Sequence, residues 1–181
     1  MRQTQFFRKL LHMLLALGFA YLGVSVPVWV TLSLVACVGV VFFMLRHVLF
    51  ARMVRTAESR SFGEYFLIAG IAATALVFGQ AHEAYLAGML VLGFADTTAS
   101  VIGRTWGVRP YRVFGETRTY TGSFTALVVS AFVFVALGVS YPLAFLSGWF
   151  LAVIEALSPR GSDNFFLPII AAALYGAMVG P

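Results

Sequence analysis

Charged residues are scarce in this chain: they form 10% of its 181 residues, against 61% hydrophobic residues and a mean hydropathy of +0.93. A water-soluble globule of this size cannot bury such a composition, so a bilayer is the expected environment. The one cysteine, Cys37, excludes an intramolecular disulfide and a metal site built on cysteines. Gly/Ser/Pro-rich linkers, low-complexity tracts and internal repeats are also missing from the sequence, so residues 1–181 are expected to form one domain.

What the sequence does have is a series of long apolar runs, each close to the roughly 20 residues that a spanning helix needs. They lie at 10–25, 27–50, 64–80, 84–103, 122–140, 141–157 and 164–180. The first run has no small-residue cleavage site with a soluble chain behind it, so it is expected to be retained as a helix. The sequence therefore predicts an all-α membrane bundle of about seven transmembrane helices.

The basic residues fall on one side of these predicted helices. The twelve are Arg2, Arg8, Lys9, Arg46, Arg52, Arg55, Arg60, Arg104, Arg109, Arg112, Arg118 and Arg160. Because Lys and Arg mark cytoplasmic connections, we predict a cytoplasmic N-terminus, an external C-terminus and a multi-pass protein of the cytoplasmic membrane. Nucleic acid is not an expected partner, since it would need a basic stripe on a water-facing surface.

A carboxylate, Asp96, lies inside the fourth apolar run. Burying it unpaired in a membrane would cost several kcal/mol, so we expect it to have a partner. Helical spacing places Gly93, Ser100, Gly103 and Arg104 on the same stripe, which predicts a groove of small and hydroxyl side chains facing the bundle interior. The alternative is a structural polar contact between helices, but ionisable residues inside membranes favour function.

A cationic loop from Arg104 to Arg118 precedes the fifth apolar run. Thr119, Gly122 and Ser123 then open that helix with hydroxyls and free backbone N–H groups, which suit an anion such as phosphate. For the loop arginines alone, a topology signal beside an ordinary N-cap is the commoner explanation. No Walker A sequence is present, so any nucleotide is expected to bind in another way.

Oxygen ligands gather near the connection between the sixth and seventh runs. Glu155, Asp163 and Asn164 lie there, on the same predicted side as Asp96. Hard oxygen ligands of this kind suit Mg²⁺ carrying a nucleoside triphosphate. For each acid alone, a solvated loop charge or a helix cap is an equally good explanation, and Asp163 is well placed to cap the seventh helix.

The entrances to the first and third helices carry weaker candidates. Lys9 and His12 stand at the start of the first helix, and Glu64 opens the third. A lone histidine near an interface is more often a packing residue, and a glutamate suits a helix N-terminus for dipole reasons alone.

Five short motifs follow one another on the predicted cytoplasmic side. They are Arg8-Lys9-Leu10-Leu11-His12, then Gly63-Glu64-Tyr65-Phe66, the segment from Asp96 to Gly107, the segment from Arg118 to Ser123, and Glu155 with Asp163, Asn164 and Pro168. In this order they resemble the motifs of the polyprenol kinase family: CTP-dependent dolichol kinases, phytol kinases and diacylglycerol kinases, more distantly similar to phosphatidate cytidylyltransferases. Arg118 replaces the family's usual Lys, Thr121 its usual Glu, and Ala95 a common Gly.

This resemblance implies transfer of the γ-phosphoryl group of CTP to the hydroxyl of an isoprenoid alcohol (polyprenol, dolichol or phytol) or of diacylglycerol at the cytoplasmic face. Mg²⁺ and the phosphates would be held by Asp96, Asp163 and Glu155, with Asp96 also orienting or deprotonating the alcohol. Further nucleotide contacts are expected from Lys9, Ser100, Gly103, Arg104, Arg118, Thr119, Gly122, Ser123 and Asn164. The lipid tail would lie in a groove between helices lined by Gly and Ala.

Other functions stay open at this point. Cytidylyl transfer to a lipid phosphate would use similar residues and release pyrophosphate rather than CDP, and a non-catalytic relative would lack turnover altogether. A transporter is disfavoured because its polar residues should run through to both faces, whereas here they stop halfway. Membrane lipids are expected partners, and a homodimer across a small-residue face is a further alternative.

Overall fold

The computed structural model describes residues 3–45 and 62–179, and within these ranges the chain forms helices and one β-hairpin. The elements are α1 (Gln3–Ser25), α2 (Val28–Leu45), α3 (Gly63–Phe78), α4 (His82–Thr105), β1 (Pro110–Val113), β2 (Glu116–Thr119), α5 (Tyr120–Ala136), α6 (Tyr141–Leu157) and α7 (Asp163–Val179). Each predicted apolar run matches one helix, so the all-α prediction is confirmed. The predicted end of the second run at 46–50, and Arg2, Arg46, Arg52, Arg55 and Arg60, lie outside the described residues.

Three stretches of helix are long and apolar enough to cross a membrane: Phe6–Ser25, Val28–Leu45 and His82–Thr105. The other helices, α3, α5, α6 and α7, are apolar but have 16 or 17 residues. Helices of that length span roughly 24–26 Å, less than the roughly 30 Å hydrocarbon core of a bilayer. The count of seven spans and the orientation of the termini therefore stay predictions.

The helix boundaries follow from local chemistry. α1 ends just before Pro27, which cannot donate a backbone hydrogen bond. α5 is followed by Gly138 in a left-handed conformation (φ 87°), which ends a helix at no steric cost. α6 carries Pro142 in its first turn, where the missing N–H has no helical partner in any case.

The segment from Arg104 to Arg118 was predicted to be a cationic loop, and part of it is a β-hairpin. β1 and β2 pair antiparallel, with Tyr111 opposite Arg118. The turn between them places Phe114 (φ 48°) and Gly115 (φ 83°) in left-handed conformations, as tight hairpin turns require. The pairing places Arg118 at the base of the hairpin, next to the bundle. A loop without strands would not have indicated this position.

α4 is the central helix of the bundle. Ala87 and Val91 belong to one buried cluster with side chains of α5, α6 and α7, whereas Met89 and Leu92 belong to another with side chains of α1, α2 and α3. A helix packed on both sides carries its polar residues into the interior, which is how Asp96 comes to be only 2% exposed.

The middle of α4 departs from regular helix. Val91–Asp96 is π-helical, and such wide turns often occur at functional sites. Gly93 lies in this segment and packs against α1. A Cβ at this position would lie 3.4 Å from the side chains of Ala16 and Leu17. Gly93 thus faces α1, as Asp96 does through Lys9, but Gly93 does not line the cavity described below.

Candidate functional site

A cavity of about 620 Å³ opens at the end of the bundle where α1, α3, α5 and α7 begin. All the site residues predicted from the sequence line it. They are Lys9, His12, Glu64, Asp96, Ser100, Gly103, Arg104, Arg118, Thr119, Gly122, Ser123, Glu155, Asp163 and Asn164. The fold thus brings the predicted residues together, while the role of each stays a prediction.

The buried Asp96 pairs with α1. The Lys9 Nζ donates a hydrogen bond of 2.7 Å to Asp96 Oδ2. His12, one turn further along α1, places its Nε2 3.4 Å from the same oxygen without hydrogen-bond geometry, and this buried nitrogen has no hydrogen-bond partner among the described residues. The prediction that Asp96 has a partner is confirmed, and the partner is Lys9.

Arg118 joins three elements by its guanidinium. Its Nη1 pairs with Glu155 at the end of α6, and its Nη2 donates to the Ser158 carbonyl at 2.8 Å and to Asp163 Oδ2 at 3.1 Å. Burial acts to lower the pKa of Arg118, but the carboxylates of Glu155 and Asp163 outweigh burial and raise the pKa above its usual value. We call this arrangement the Arg118 clamp. A phosphate would have to compete with these protein acceptors for the same N–H groups.

The oxygen donors of the cavity fit a hard cation. Three carboxylates, Asp96, Glu155 and Asp163, line it and pair with the two cations Lys9 and Arg118. No group of three His, Cys, Asp or Glu side chains within the described ranges is spaced to hold a metal ion by itself. Mg²⁺, however, commonly takes one or two carboxylates and completes its shell with phosphate oxygens and water.

Asn164 adds an oxygen to this set. Its Nδ2 donates to the Gly63 carbonyl at 2.8 Å, which fixes the side chain at the junction of α3 and α7. Its Oδ1 is buried and has no hydrogen-bond partner in the described part of the chain. A buried amide oxygen without a partner is costly unless a ligand, cation or water satisfies it, so Asn164 fits the predicted nucleotide contact.

The start of α5 is occupied by its own capping interactions. The Thr119 hydroxyl accepts from the Gly122 N–H at 3.1 Å and donates to the Gly103 carbonyl at 3.3 Å. The Ser123 hydroxyl lies 2.6 Å from the Tyr111 hydroxyl. A Cβ on Gly103 would lie 2.9 Å from Thr119 Oγ1, so glycine allows α4 and α5 to approach closely here. Thr119 thus caps α5, and its contact with a nucleotide stays a prediction.

The position where the resembling family usually has Glu does not face the cavity. The Thr121 hydroxyl instead accepts a hydrogen bond of 3.0 Å from the Val108 N–H, and Thr121 is absent from the cavity lining. A carboxylate that does line the cavity is Glu116 of β2. Thr121 itself therefore contributes no group to the cavity wall.

Three charged residues of the lining were not predicted as site residues: Arg8, Glu116 and Arg160. Arg8 Nη1 lies 3.6 Å from Glu64 Oε1, which ties α1 to α3 at the rim. The signal for Arg8 was its place beside Lys9, and the signal for Arg160 was its place beside a glycine in the connection before Asp163. Nothing in the sequence distinguishes Glu116 from an ordinary hairpin residue.

One side of the cavity is apolar. Its lining comprises Leu11 and Leu15 of α1, Val38, Phe42 and Leu45 of α2, and Leu67 and Ile68 of α3. The prediction of a groove lined by Gly and Ala is wrong for this part, because large aliphatic and aromatic side chains form it. Leu11 and Leu45 are 58% and 45% exposed, so this apolar arm is open at the surface of the bundle.

The chain is similar over part of its length to a curated protein named phytol kinase from Synechocystis sp. The identity is 29% over 96 residues, covering 48% of this chain and 41% of the relative. By its name, this relative is a kinase. No family model matches the chain, and no solved structure matches it. This distant and partial likeness supports a polyprenol or phytol kinase-like membrane protein.

Proposed function

We propose that this protein is a membrane lipid kinase that transfers the γ-phosphoryl group of CTP to the hydroxyl of an isoprenoid alcohol. One observation carries the proposal: a single cavity joins an apolar arm, open at the bundle surface, to a buried carboxylate surrounded by cations and oxygen donors. A lipid alcohol has the same two parts, a chain for the arm and a hydroxyl for the polar end. The likeness to a phytol kinase supports the isoprenoid class of alcohol.

The chemistry assigned to Asp96 is proton transfer and orientation. The oxygen of the alcohol forms a new bond to the γ-phosphorus, the bond between that phosphorus and the bridging oxygen of the β-phosphate breaks, and CDP leaves. The alcohol proton passes to Asp96, which Lys9 holds in place by the 2.7 Å hydrogen bond. Transfer of this kind needs positioning and charge neutralisation more than covalent chemistry, which suits a site made of ion pairs.

Around the phosphates, we assign one or two of the carboxylates Asp163, Glu155 and Asp96, together with Asn164, to a nucleotide-borne Mg²⁺. Mg²⁺ would neutralise the charge of the triphosphate. Arg104, Ser100 and the N-terminus of α5 also line the cavity and are assigned to the phosphoryl oxygens. The basic side of the bundle, and with it the cavity, would face the cytoplasm of a multi-pass protein in the cytoplasmic membrane.

The alcohol's chain is assigned to the apolar arm between α1 and α2. Val38 lines this arm, whereas Val41 on the same helix is 53% exposed and lies outside the lining. Val38→Trp would fill the arm, so we expect the KM for the alcohol to rise about tenfold or more, with the KM for CTP unchanged. Val41→Trp is the matched control and should change neither value. Equal KM values for the alcohol in both variants would remove the arm from the proposal.

The function itself is tested by product analysis. Purified protein in nanodiscs is given CTP or ATP, Mg²⁺ and a panel of phytol, polyprenol, dolichol and diacylglycerol, and both lipid and nucleotide products are identified by mass spectrometry. A phosphorylated isoprenoid alcohol with CDP is the expected result. Pyrophosphate with a cytidylylated lipid would replace the proposal by cytidylyl transfer, and intact nucleotide throughout would reject both.

The Asp96→Asn variant, measured in the same assay, tests the role of the site itself. We expect turnover to fall by more than about a hundredfold, because the variant cannot accept the alcohol proton. Glu83→Gln is the matched control, since Glu83 lies on the same helix near its other end and accepts a hydrogen bond from Tyr175 instead of lining the cavity. Near-normal turnover of Asp96→Asn would take Asp96 out of the mechanism.

A further inference from the structure

The connection between α6 and α7 holds an arginine in an unfavourable backbone conformation. Arg160 has φ 53°, and Gly161 beside it has φ 84°. Left-handed backbone is free of cost for glycine and strained for residues with a Cβ. The turn itself is closed by backbone hydrogen bonds, from Ser162 N–H to the Pro159 carbonyl at 3.0 Å and from Asn164 N–H to the Gly161 carbonyl at 3.2 Å. Glycine at position 160 would therefore make the same turn without strain.

The side chain of Arg160 offers no structural reason for that strain. It is exposed and lines the cavity, yet it makes no hydrogen bond or ion pair with the described residues. Strained residues of this kind concentrate at binding and catalytic sites, where the side chain rather than the backbone is needed. An unpaired guanidinium at the rim of the polar half of a cavity is suited to an anion from solution.

The Arg118 clamp is a second reason to expect an anion at Arg160. Arg118 was the sequence-predicted phosphate contact, but its guanidinium donates to Glu155, Asp163 and the Ser158 carbonyl. Because Ser158 and Asp163 flank the turn, the clamp holds the segment that carries Arg160. One arginine of the pair is thus engaged by the protein, and the other lines the same cavity with no partner for its planar donors in residues 3–45 and 62–179.

We propose that Arg160 binds the phosphate chain of the nucleotide and that Arg118 is a positioning residue that holds the Arg160 turn. The assignment rests on the proposed function, in which a nucleoside triphosphate enters this cavity. Guanidinium groups bind phosphate oxygens through two parallel N–H donors, and this geometry is available to Arg160 without breaking an existing ion pair.

The structure supplies a matched control for the test. Arg109 is also an exposed arginine with left-handed backbone (φ 54°), but it does not line the cavity. Arg160→Gly and Arg109→Gly therefore remove the same charge and relieve the same strain, and they differ in position relative to the cavity. Arg160→Lys keeps the charge at position 160 and loses the planar donors.

Binding of Mg²⁺·CTP and of inorganic tripolyphosphate is measured by calorimetry on full-length protein in nanodiscs, alongside thermal unfolding. We expect Arg160→Gly to weaken both ligands about tenfold to a hundredfold, the loss that follows removal of a charged hydrogen-bond donor. Arg160→Lys should be intermediate, and Arg109→Gly should bind like the native protein. Neither glycine variant should unfold at a lower temperature, because each relieves a strained residue.

Tripolyphosphate separates this assignment from the kinase proposal, since its binding needs no lipid alcohol. Loss of tripolyphosphate binding in Arg160→Gly supports the assignment even if none of the alcohols is phosphorylated. Equal binding by the two glycine variants overturns it, even if the native protein phosphorylates phytol. A lowered unfolding temperature in Arg160→Gly would show a structural role and also overturn it, as would a native protein that binds neither ligand.

Discussion

Replacing Arg118 by methionine tests whether the Arg118 clamp holds the cavity end of the bundle together. Methionine fills a similar volume but supplies no donor, so Glu155 and Asp163, each 5% exposed, lose their cation, and the Ser158 carbonyl loses a hydrogen bond. Removing one partner of a buried ion pair costs about 3–5 kcal/mol, because the remaining charge stays buried without compensation. Water entering from the cavity limits the cost, so we expect about 3 kcal/mol for the clamp as a whole.

For a chain of this size, each kcal/mol moves the unfolding midpoint by about 2–4 °C, so the midpoint should fall by about 10 °C. Tryptophan fluorescence during heating in detergent measures the shift. Arg112→Met is the control, since Arg112 is an exposed arginine of β1, opposite Thr117 in the hairpin, and it should move the midpoint by no more than a degree or two.

Neutralising Glu155 and Asp163 as well tests whether their unpaired charge causes the loss of stability. The triple variant Arg118→Met, Glu155→Gln, Asp163→Asn carries no buried unpaired charge, so it should regain most of the lost stability. Arg118→Lys keeps a single charge that satisfies one acid at a time, and its midpoint should fall between those of the native protein and Arg118→Met. An Arg118→Met protein that unfolds with the native midpoint would refute the reasoning, as would a triple variant no more stable than Arg118→Met.

Three further predictions concern residues that position the site. Lys9→Met leaves Asp96 unpaired and should cost about 3 kcal/mol of unfolding free energy in a heating experiment, most of it recovered in the double variant with Asp96→Asn. Gly70→Ala would drive a Cβ into the Asn164 carbonyl and should lower stability by about 1–3 kcal/mol, whereas Gly18→Ala, with open space around it, should not. Thr121→Glu restores the family's usual acid, yet calorimetry should show no tighter Mg²⁺·CTP binding, because the side chain faces the Val108 N–H.

The helices were predictable because the bilayer imposes a strong and local requirement. A long run of apolar residues, ended by Pro27 or Gly138, can be recognised without knowledge of the rest of the chain. The β-hairpin was not predictable in the same way, since its short strands carry polar and charged residues and its pairing depends on a tight turn at Phe114 and Gly115. The π segment of α4 was missed as well, because Gly93 and Asp96 fit an ordinary helical stripe when only their spacing is considered.

The amino-acid sequence by itself determined the class of environment, the number of apolar helices and the need of Asp96 for a partner, because hydropathy and the cost of a buried charge act locally. Only the tertiary structure decided which charges meet. Lys9 reaches Asp96 across 87 residues of sequence, and Arg118 reaches Glu155 across 37. Such pairs form when packed helices place residues that are distant in sequence at the same level of the bundle. The same packing pairs Arg118 with carboxylates and leaves Arg160 at the cavity without a partner among the described residues, although in the sequence both are arginines of polar connections.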